Sequence, residues 1–438
     1  MSFNKKTIRD VDLSGKTVLL RADYNVPLTD SGKISDDYRI RQSLPTLKYL
    51  LDKKVKLIIC SHLGRPTGPN DKKCSMRPVA EHLRNLLKPV NVKFVSDCVG
   101  PEVENAVKQL QPGQVIVLEN LRFNPGEKAD DPEFAKSLAS LADVFVQDAF
   151  GVVHRADAST DAITKFIPSV AGLLLEKEVD NITEMMENPK RPLMAIVGGA
   201  KIADKIGVLN RFIEIADIVA IGGAMANTFL KAEGVPVAKS KIDQDDLSLA
   251  RDILKKAKTK TAKDHFVFYL PQDGVVAKKV DRAAKTRVVD WSAHVFADVE
   301  NYPKRPPSSD TQIEKDELIL DIGPFSGSFI AGAMELANSV VWNGTMGVTE
   351  VRGLQGPIGP FAHGTELVIE AMLGQFGHRP YSLIGGGDTV GYIQSRKLTE
   401  AFDHVSTGGG ASLELMAGEV LPGVAALLNK DKSKAGKK

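Results

Sequence analysis

The chain has 438 residues, with 57 Lys and Arg against 55 Asp and Glu and a formal net charge of +2, which argues against a general polyanion binder and leaves room only for a local basic cleft. That length exceeds the roughly 250–300 residues at which a single hydrophobic core stops growing, so two domains are expected. Cys60, Cys74 and Cys98 form no CxxC pair and leave an odd thiol, and neither an apolar leader nor a membrane-length stretch is present; a disulfide framework, a zinc site and a membrane span are disfavoured, and the protein reads as soluble and cytoplasmic.

In chain order, short runs rich in Val, Ile and Leu (Thr17 to Leu20, Leu57 to Cys60, Val115 to Leu118, Val144 to Val146) alternate with segments of helical spacing (Arg41 to Leu51, Pro78 to Leu87, Pro132 to Leu141). Strand and helix in alternation predict a parallel sheet covered on both faces. A long amphipathic segment, Gly172 to Glu187, leads into the turn-rich Asn188-Pro189-Lys190-Arg191-Pro192. The pattern then restarts with strands at Leu193 to Val197, Ile218 to Ile221, Phe266 to Leu270, Leu318 to Asp321, Val340 to Trp342 and Tyr381 to Ile384. Two consecutive α/β domains, each a doubly wound parallel sheet, joined near residue 190, are the simplest account.

Ligands of open α/β sheets bind beyond the carboxyl ends of the strands. In the first half those ends carry Arg21-Ala22-Asp23-Tyr24-Asn25-Val26-Pro27, Ser61-His62-Leu63-Gly64-Arg65-Pro66, Glu119-Asn120-Leu121-Arg122-Phe123 and Asp148 to Arg155, with Arg39 at the start of a helix. Guanidinium forks match phosphate and carboxylate, and Asp23 and Asn25 suit hydroxyls, so a small, phosphorylated, hydroxylated ligand is expected.

The second half is dominated by glycine. Gly198-Gly199-Ala200-Lys201 follows a strand and is expected to open a helix directly, with Lys205 on the same face as Lys201. Gly222-Gly223-Ala224, Trp342-Asn343-Gly344-Thr345-Met346-Gly347, Gly385-Gly386-Gly387-Asp388-Thr389 and Ser406-Thr407-Gly408-Gly409-Gly410 repeat the theme. Glycines admit close backbone approach to phosphate, and helix N-termini present free N–H groups to it. Nucleotide binding is the natural inference, with Asp388 available to hold magnesium directly or through water. Two familiar phosphate motifs are absent: Gly15-Lys16-Thr17 has Asp10 where a P-loop needs its first glycine, and no GxGxxG follows a strand.

These segments, from Arg21–Pro27 and Ser61–Pro66 through Gly198–Lys205 to Gly385–Thr389 and Ser406–Ser412, resemble the phosphoglycerate kinase family, and the likeness runs from about Thr7 to about Leu427 with the motifs in family order. The resemblance implies an N-terminal phosphoglycerate-binding domain (residues 1–188, joined by a returning segment 421–438) and a C-terminal nucleotide-binding domain (189–420) in a monomeric glycolytic enzyme with no nucleic-acid or membrane partner. It implies 3-phosphoglycerate or 1,3-bisphosphoglycerate on Asp23, Asn25, Arg39, His62, Leu63, Gly64, Arg65, Arg122 and Arg155. ATP or ADP falls to Gly199, Lys201, Lys205, Gly223, Asn343, Glu350, Gly386, Gly387, Asp388 and Thr389, with Mg2+ at Asp388. Phosphoryl transfer is assigned to Arg39, Lys201, Lys205 and Gly409. Arg21 is expected to be structural, at a strand end.

Four features depart from the family pattern: Asp157 in His-Arg-Ala-Asp, where a histidine is usual; Ala224 for the third glycine of its loop; Thr345 for the proline of Trp-Asn-Gly-Pro; and a Pro- and Ser-rich segment at 302–311 that reads as an inserted or divergent surface loop. The Lys-rich tail from Asn429 reads as a solvated extension. A second function class is a paralogue that keeps the fold and binds ligand without turnover. Intact Arg39, Lys205 and Asp388 favour the enzyme. His82, His265, His294, His363, His378 and His404 show no metal-ligand spacing, and Trp291 and Trp342 read as packing residues.

Overall fold

Aliphatic runs with no polar alternation must be covered on both faces, and parallel pairing through crossover helices provides that cover. The computed structural model describes residues 3–69, 71–292 and 312–430; the 302–311 segment, His294 and the tail beyond residue 430 lie outside the described residues. In the first half, β1 (Thr17–Arg21), β2 (Lys56–Cys60), β3 (Val92–Phe94), β4 (Val115–Val117), β5 (Val144–Gln147) and β6 (Ser169–Ala171) form one sheet in the order β3-β4-β2-β1-β5-β6, every neighbour parallel. β3 (Val-Lys-Phe) and β6 (Ser-Val-Ala) are not expected from the sequence, because neither contains a run of large aliphatic residues, whereas the equally short β4 (Val-Ile-Val) does.

The two faces of this sheet separate by strand alternation. Leu19, Ile58, Ile116 and Phe145 lie in one register row and pack with buried residues of α3 (Pro101–Gln109) and α4 (Pro132–Ala139). Val18, Leu20, Leu57, Ile59, Val115 and Val117 face the other way, against α1 (Tyr38–Asp52) and α2 (Arg77–Leu86). Pro101 and Pro132 open α3 and α4, where a missing N–H costs nothing. The long helix α5 (Leu173–Glu187) follows, its start held by Asp148 Oδ1, which accepts from Leu174 N at 2.9 Å and Leu175 N at 3.1 Å.

The second sheet contains β7 (Leu193–Val197), β8 (Ile218–Ile221), β9 (Val267–Tyr269), β13 (Ser339–Asn343), β14 (Tyr381–Gly385) and β15 (His404–Val405), again all parallel, in the order β15-β14-β13-β7-β8-β9. Between its strands run α6 (Ile206–Ile215), α7 (Gly223–Ala232), α8 (Leu247–Thr261), α9 (Pro324–Met334), α10 (His363–Met372) and α11 (Gly387–Ser395), and α12 (Gly409–Met416) follows the last of them. The expected strand at Leu318 to Asp321 exists but lies outside this sheet. As β12 (Leu318–Ile322) it pairs antiparallel with β10 (Asp273–Ala277), whose other edge takes β11 (Arg287–Asp290). Apolarity marks such a run as a strand and says nothing of its partner.

By contact the chain divides into two units, Met1–Asp180 with Glu419–Lys438, and Asn181–Gly418. The C-terminal return is concrete. Lys5 bridges Asn429, Lys6 N donates to Leu428 O at 2.7 Å, Leu428 N to Ser169 O at 3.1 Å, and Gly423 N to Val153 O at 2.9 Å. Leu427 is buried in this return, so Leu427→Ala should cost about 3 kcal/mol of unfolding free energy, the usual range for a core leucine truncation. A urea titration followed by far-UV circular dichroism should show the lowered midpoint; an unchanged midpoint would mean the return adds nothing to stability.

Candidate active site

In the first unit, β4, β2, β1 and β5 are neighbours, so the loops at their carboxyl ends converge. Asp23 accepts from Arg39 Nη1 at 2.7 Å and from Asn25 N at 3.3 Å. Asn25 Oδ1 accepts from Gly64 N at 2.8 Å, and Gly64 O accepts from Arg122 Nη1 at 2.7 Å. Loops after three strands are thus tied together through residues expected at the substrate. Burial would raise the Asp23 carboxyl, but Arg39, His62, Arg21 and the Asn25 N–H together outweigh it and hold the group below the ordinary carboxylate range. Arg122 is shifted down, first by burial and then by the like charges of Arg155 and Arg21, while Asp157 pulls it back. His62 and Leu63 are buried, Arg65 is exposed, and Arg155 Nε donates to His154 Nε2 at 3.1 Å.

In the second unit the glycine loops approach one another as backbone. Gly223 has φ +64, and a Cβ there would lie 2.6 Å from Gly199 N, so only glycine fits where the loops after β7 and β8 meet. Gly386 has φ +90 and faces Asn343, whose Oδ1 would be 3.0 Å from an added Cβ. Asn343 ends β13 fully buried, with neither side-chain amide atom hydrogen-bonded within the protein. Such a group costs about 1–3 kcal/mol, which a polar ligand would offset. Lys205 Nζ donates to Gly198 O at 2.6 Å and Asn343 O at 3.1 Å. Burial lowers its pKa to about 8 against the pull of Asp388 and Asp204.

Two helix N-termini meet beside these groups. The starts of α11 and α12 approach so closely that a Cβ on Gly409 would lie 3.5 Å from Gly387 N. Asp388 stands in the first turn of α11, and Thr389 Oγ1 accepts from Gly344 N at 2.7 Å. A cavity of about 410 Å3 is lined by Gly199, Gly223, Glu350 and Asp388 of the expected set, together with Ala224, Thr345 and apolar groups that include Leu320 and Val348. That size and lining suit a small-molecule site. Lys201, Lys205, Asn343, Gly386, Gly387, Thr389 and Gly409 do not line it.

The glycine loop after β7 does not open a helix directly. A 3-10 turn, Ala203–Lys205, intervenes before α6, and Asp246 Oδ2 accepts from Ile202 N at 2.8 Å and Ala203 N at 3.1 Å. The expected common face for Lys201 and Lys205 therefore fails: Lys201 is exposed, 3.7 Å from Asp243 Oδ2, while Lys205 turns inward. A local carboxylate already satisfies the donors, and the tighter 3-10 turn changes the angle between the two lysines.

Several residues that the sequence did not single out organise the site. Asn120 donates through Nδ2 to Leu63 O and Cys74 O, both at 2.7 Å, and its Oδ1 accepts from Arg122 N at 3.0 Å. Its position in Glu119-Asn120-Leu121-Arg122 was the available signal. Glu127 and Ser159 hold Arg21: Arg21 Nε donates to Ser159 Oγ at 2.8 Å, Ser159 Oγ donates to Glu127 Oε1 at 2.6 Å, and Arg21 Nη2 lies 3.7 Å from Glu127 Oε1. Both partners lie more than 100 residues from Arg21, so no local pattern could reveal them. Of the residues read as packing, Trp342 is fully buried with its indole on Gly344 O at 2.8 Å, whereas Trp291 lines the cavity.

The family model described as phosphoglycerate kinase matches residues 8–419. The phosphoglycerate kinase of Chloroflexus aggregans is 44% identical over 426 residues, 97% of this chain and 99% of that protein, and that of Dictyoglomus turgidum is 45% identical over 430 residues, 97% and 100%. The solved phosphoglycerate kinase structure from Coxiella burnetii superposes with a TM-score of 0.78 at 34% identity, covering 96% of this chain and 98% of that one. Fold, glycine loops and these likenesses together define a two-unit α/β ATP-dependent phosphotransferase. The chain belongs to the phosphoglycerate kinase family.

Lys205 yields a pH test. A lysine whose folded pKa is lowered carries a penalty that is full below the folded value and relieved as pH rises toward the unfolded one. Wild-type stability should therefore gain from Lys205 between pH about 8 and about 10.5, and Lys205→Met should lack that gain. Urea unfolding across this range checks the difference; parallel pH profiles would place the ammonium in a solvated setting. Gly223→Ala should lower nucleotide affinity by about tenfold or more, because the methyl must displace the Gly199 backbone; calorimetric titration with ADP reads it.

Proposed function

We propose that the chain catalyses reversible phosphoryl transfer between 1,3-bisphosphoglycerate and ADP, giving 3-phosphoglycerate and ATP. The carrying observation is the meeting of the α11 and α12 N-termini beside Lys205 and the buried, unpartnered Asn343 amide, a phosphate-accepting arrangement. The triose ligand is assigned to the first unit. There Asp23 and Asn25 would take its hydroxyl and carboxyl end, and His62, Arg65, Arg122 and Arg155 its static phosphate. Leu63 and Gly64 shape that loop. The nucleotide is assigned to Gly199, Gly223, Asn343, Glu350 and the Gly386–Thr389 helix start, with Lys201 reaching in from the exposed rim.

In the ATP-consuming direction the nucleophile is a carboxylate with a pKa of about 4, already ionised at neutral pH, so no general base is needed. Catalysis then reduces to alignment and to neutralising charge on the moving phosphoryl group. Arg39 suits this role because its side chain is 30% exposed and held only by Asp23 and a long contact to Asn25 O, which leaves it able to turn to a ligand. Lys205 and the Gly409 helix start would face the same group from the nucleotide side. Among the described residues no cluster of three or more His, Cys, Asp or Glu could hold a metal ion. The carboxylate of Asp388 fits the usual magnesium arrangement of one or two protein oxygens completed by nucleotide phosphates and water. When bound, magnesium would supply positive charge to the phosphate oxygens.

The two ligands are assigned to different units, so transfer requires a hinge motion that brings them together and sheds water able to compete for the phosphoryl group. We read the enzyme as monomeric and cytoplasmic. No helix among the described residues is long and apolar enough to cross a membrane.

A coupled assay should show magnesium-dependent ADP formation from ATP and 3-phosphoglycerate; nucleotide binding without turnover would favour a ligand-binding paralogue. Arg39→Ala should reduce kcat by about 100-fold or more with nucleotide affinity nearly intact, as expected for lost transition-state charge stabilisation. A near-normal kcat would remove Arg39 from the transfer step. Asp157 is buried and its charge opposes the cationic bed, so Asp157→His should lower the KM for 3-phosphoglycerate, and an unchanged KM would place Asp157 outside the field.

A further inference from the structure

His62 is buried among charged groups. Arg21 approaches from β1, Asp23 from the loop after it, Arg39 from α1 and Arg122 from the turn after β4. The contact that decides its state is the one at Nδ1, which lies 3.4 Å from Arg21 Nη2 and 4.0 Å from Asp23 Oδ1. A guanidinium has only N–H donors and no lone pair to offer. The contact is a hydrogen bond only if Nδ1 accepts, the tautomer that carries the imidazole proton on Nε2 and leaves the ring neutral.

Arg21 is in turn immobilised. It is fully buried, with Nη1 donating to Ala22 O at 2.5 Å and Nε to Ser159 Oγ at 2.8 Å. Glu127 takes Ser159 Oγ at 2.6 Å and Ser159 N at 3.1 Å, so the carboxylate fixes both the serine and the charge balance of the arginine. Burial raises the Glu127 carboxyl against the pull of Arg21.

We propose that Arg21, clamped by Glu127 and Ser159, is a positioning residue that fixes His62 as the neutral Nε2–H tautomer, so that this histidine presents the triose ligand with an uncharged donor. The inference rests on the phosphoglycerate reading of the bed. It divides the site into guanidiniums that carry charge and an imidazole that carries direction. Burial, together with Arg21, Arg122 and Arg39, also pushes the His62 pKa well below the ordinary range despite Asp23. Substrate recognition by His62 is then indifferent to pH where free histidines titrate.

The test uses the full chain. Long-range proton–nitrogen correlation of the imidazoles, with His62 identified by its loss in His62→Gln, should show a protonated Nε2 and a bare Nδ1, unchanged from about pH 7.5 to about pH 5.5, a window spanning the ordinary imidazole midpoint. The double variant Arg21→Met/Glu127→Gln removes the pair together and strands no buried charge. In it Nδ1 no longer faces a donor, and while burial, Arg122 and Arg39 still oppose the charged ring, a proton should appear on Nδ1 facing Asp23. The KM for 3-phosphoglycerate should then rise about fivefold with kcat less affected, because Nε2 loses the proton it offers the ligand. Arg21→Lys, which restores a cationic donor, should return the Nε2–H signal and the KM toward the wild type. A doubly protonated His62 in the wild type near about pH 6.5, or a proton on Nδ1, overturns the tautomer; an unchanged tautomer and KM in the double variant overturn the positioning role. Should the kinase reading itself be wrong, the wild type would show no turnover while the imidazole spectrum stays as expected, so the two failures are distinguishable.

Discussion

Guanidinium groups can be gathered at one end of a sheet only where carboxylates and carbonyls compensate their mutual repulsion and the loss of water. The first unit meets that constraint through a few interactions: Arg39 on Asp23, Arg122 on Gly64 O, and Arg21 within Ser159 and Glu127. Breaking a buried ion pair by removing one partner typically costs about 3–5 kcal/mol, so the bed is stable only as a set. The same contacts order the loops after β1, β2 and β4 before any ligand arrives, which reduces the ordering cost of binding.

The second unit solves the opposite problem. The groups proposed to face phosphate there are mainly backbone, and what they need is room. Glycines at 199, 223 and 386 let three loops pass within van der Waals distance, and the convergence of α11 and α12 adds partial positive charge with little side-chain entropy to lose. Lys205 contributes a half-buried cation turned onto backbone carbonyls, which is why its protonation responds to its surroundings while exposed Lys201 stays near Asp243.

The three expected departures from the family pattern that lie within the described residues fall into two kinds. Ala224 and Thr345 both line the cavity, and the Thr345 hydroxyl donates to Gly347 O at 3.0 Å, stabilising a loop that the proline expected from the resemblance would restrict by its ring. Asp157 is electrostatic instead. Its backbone is pinned by Thr160 while its charge partly offsets the crowding of Arg122 and His154.

The sequence by itself determined the alternating strands and helices, the parallel α/β class, the basic loops and the glycine-rich ones, because each is a local pattern of apolarity, φ or charge. Motif order alone was enough to place Asp23, Asn25, Arg39 and Asp388 at strand and helix ends. Only the tertiary structure decided that β12 pairs with β10, that Asp246 delays α6 and parts Lys201 from Lys205, and that Glu127 and Ser159 hold Arg21 against His62. Strand partners, buried ion pairs and the tautomer of a histidine depend on residues brought together from more than 40 positions apart, and one-dimensional patterns carry no signal for such distances.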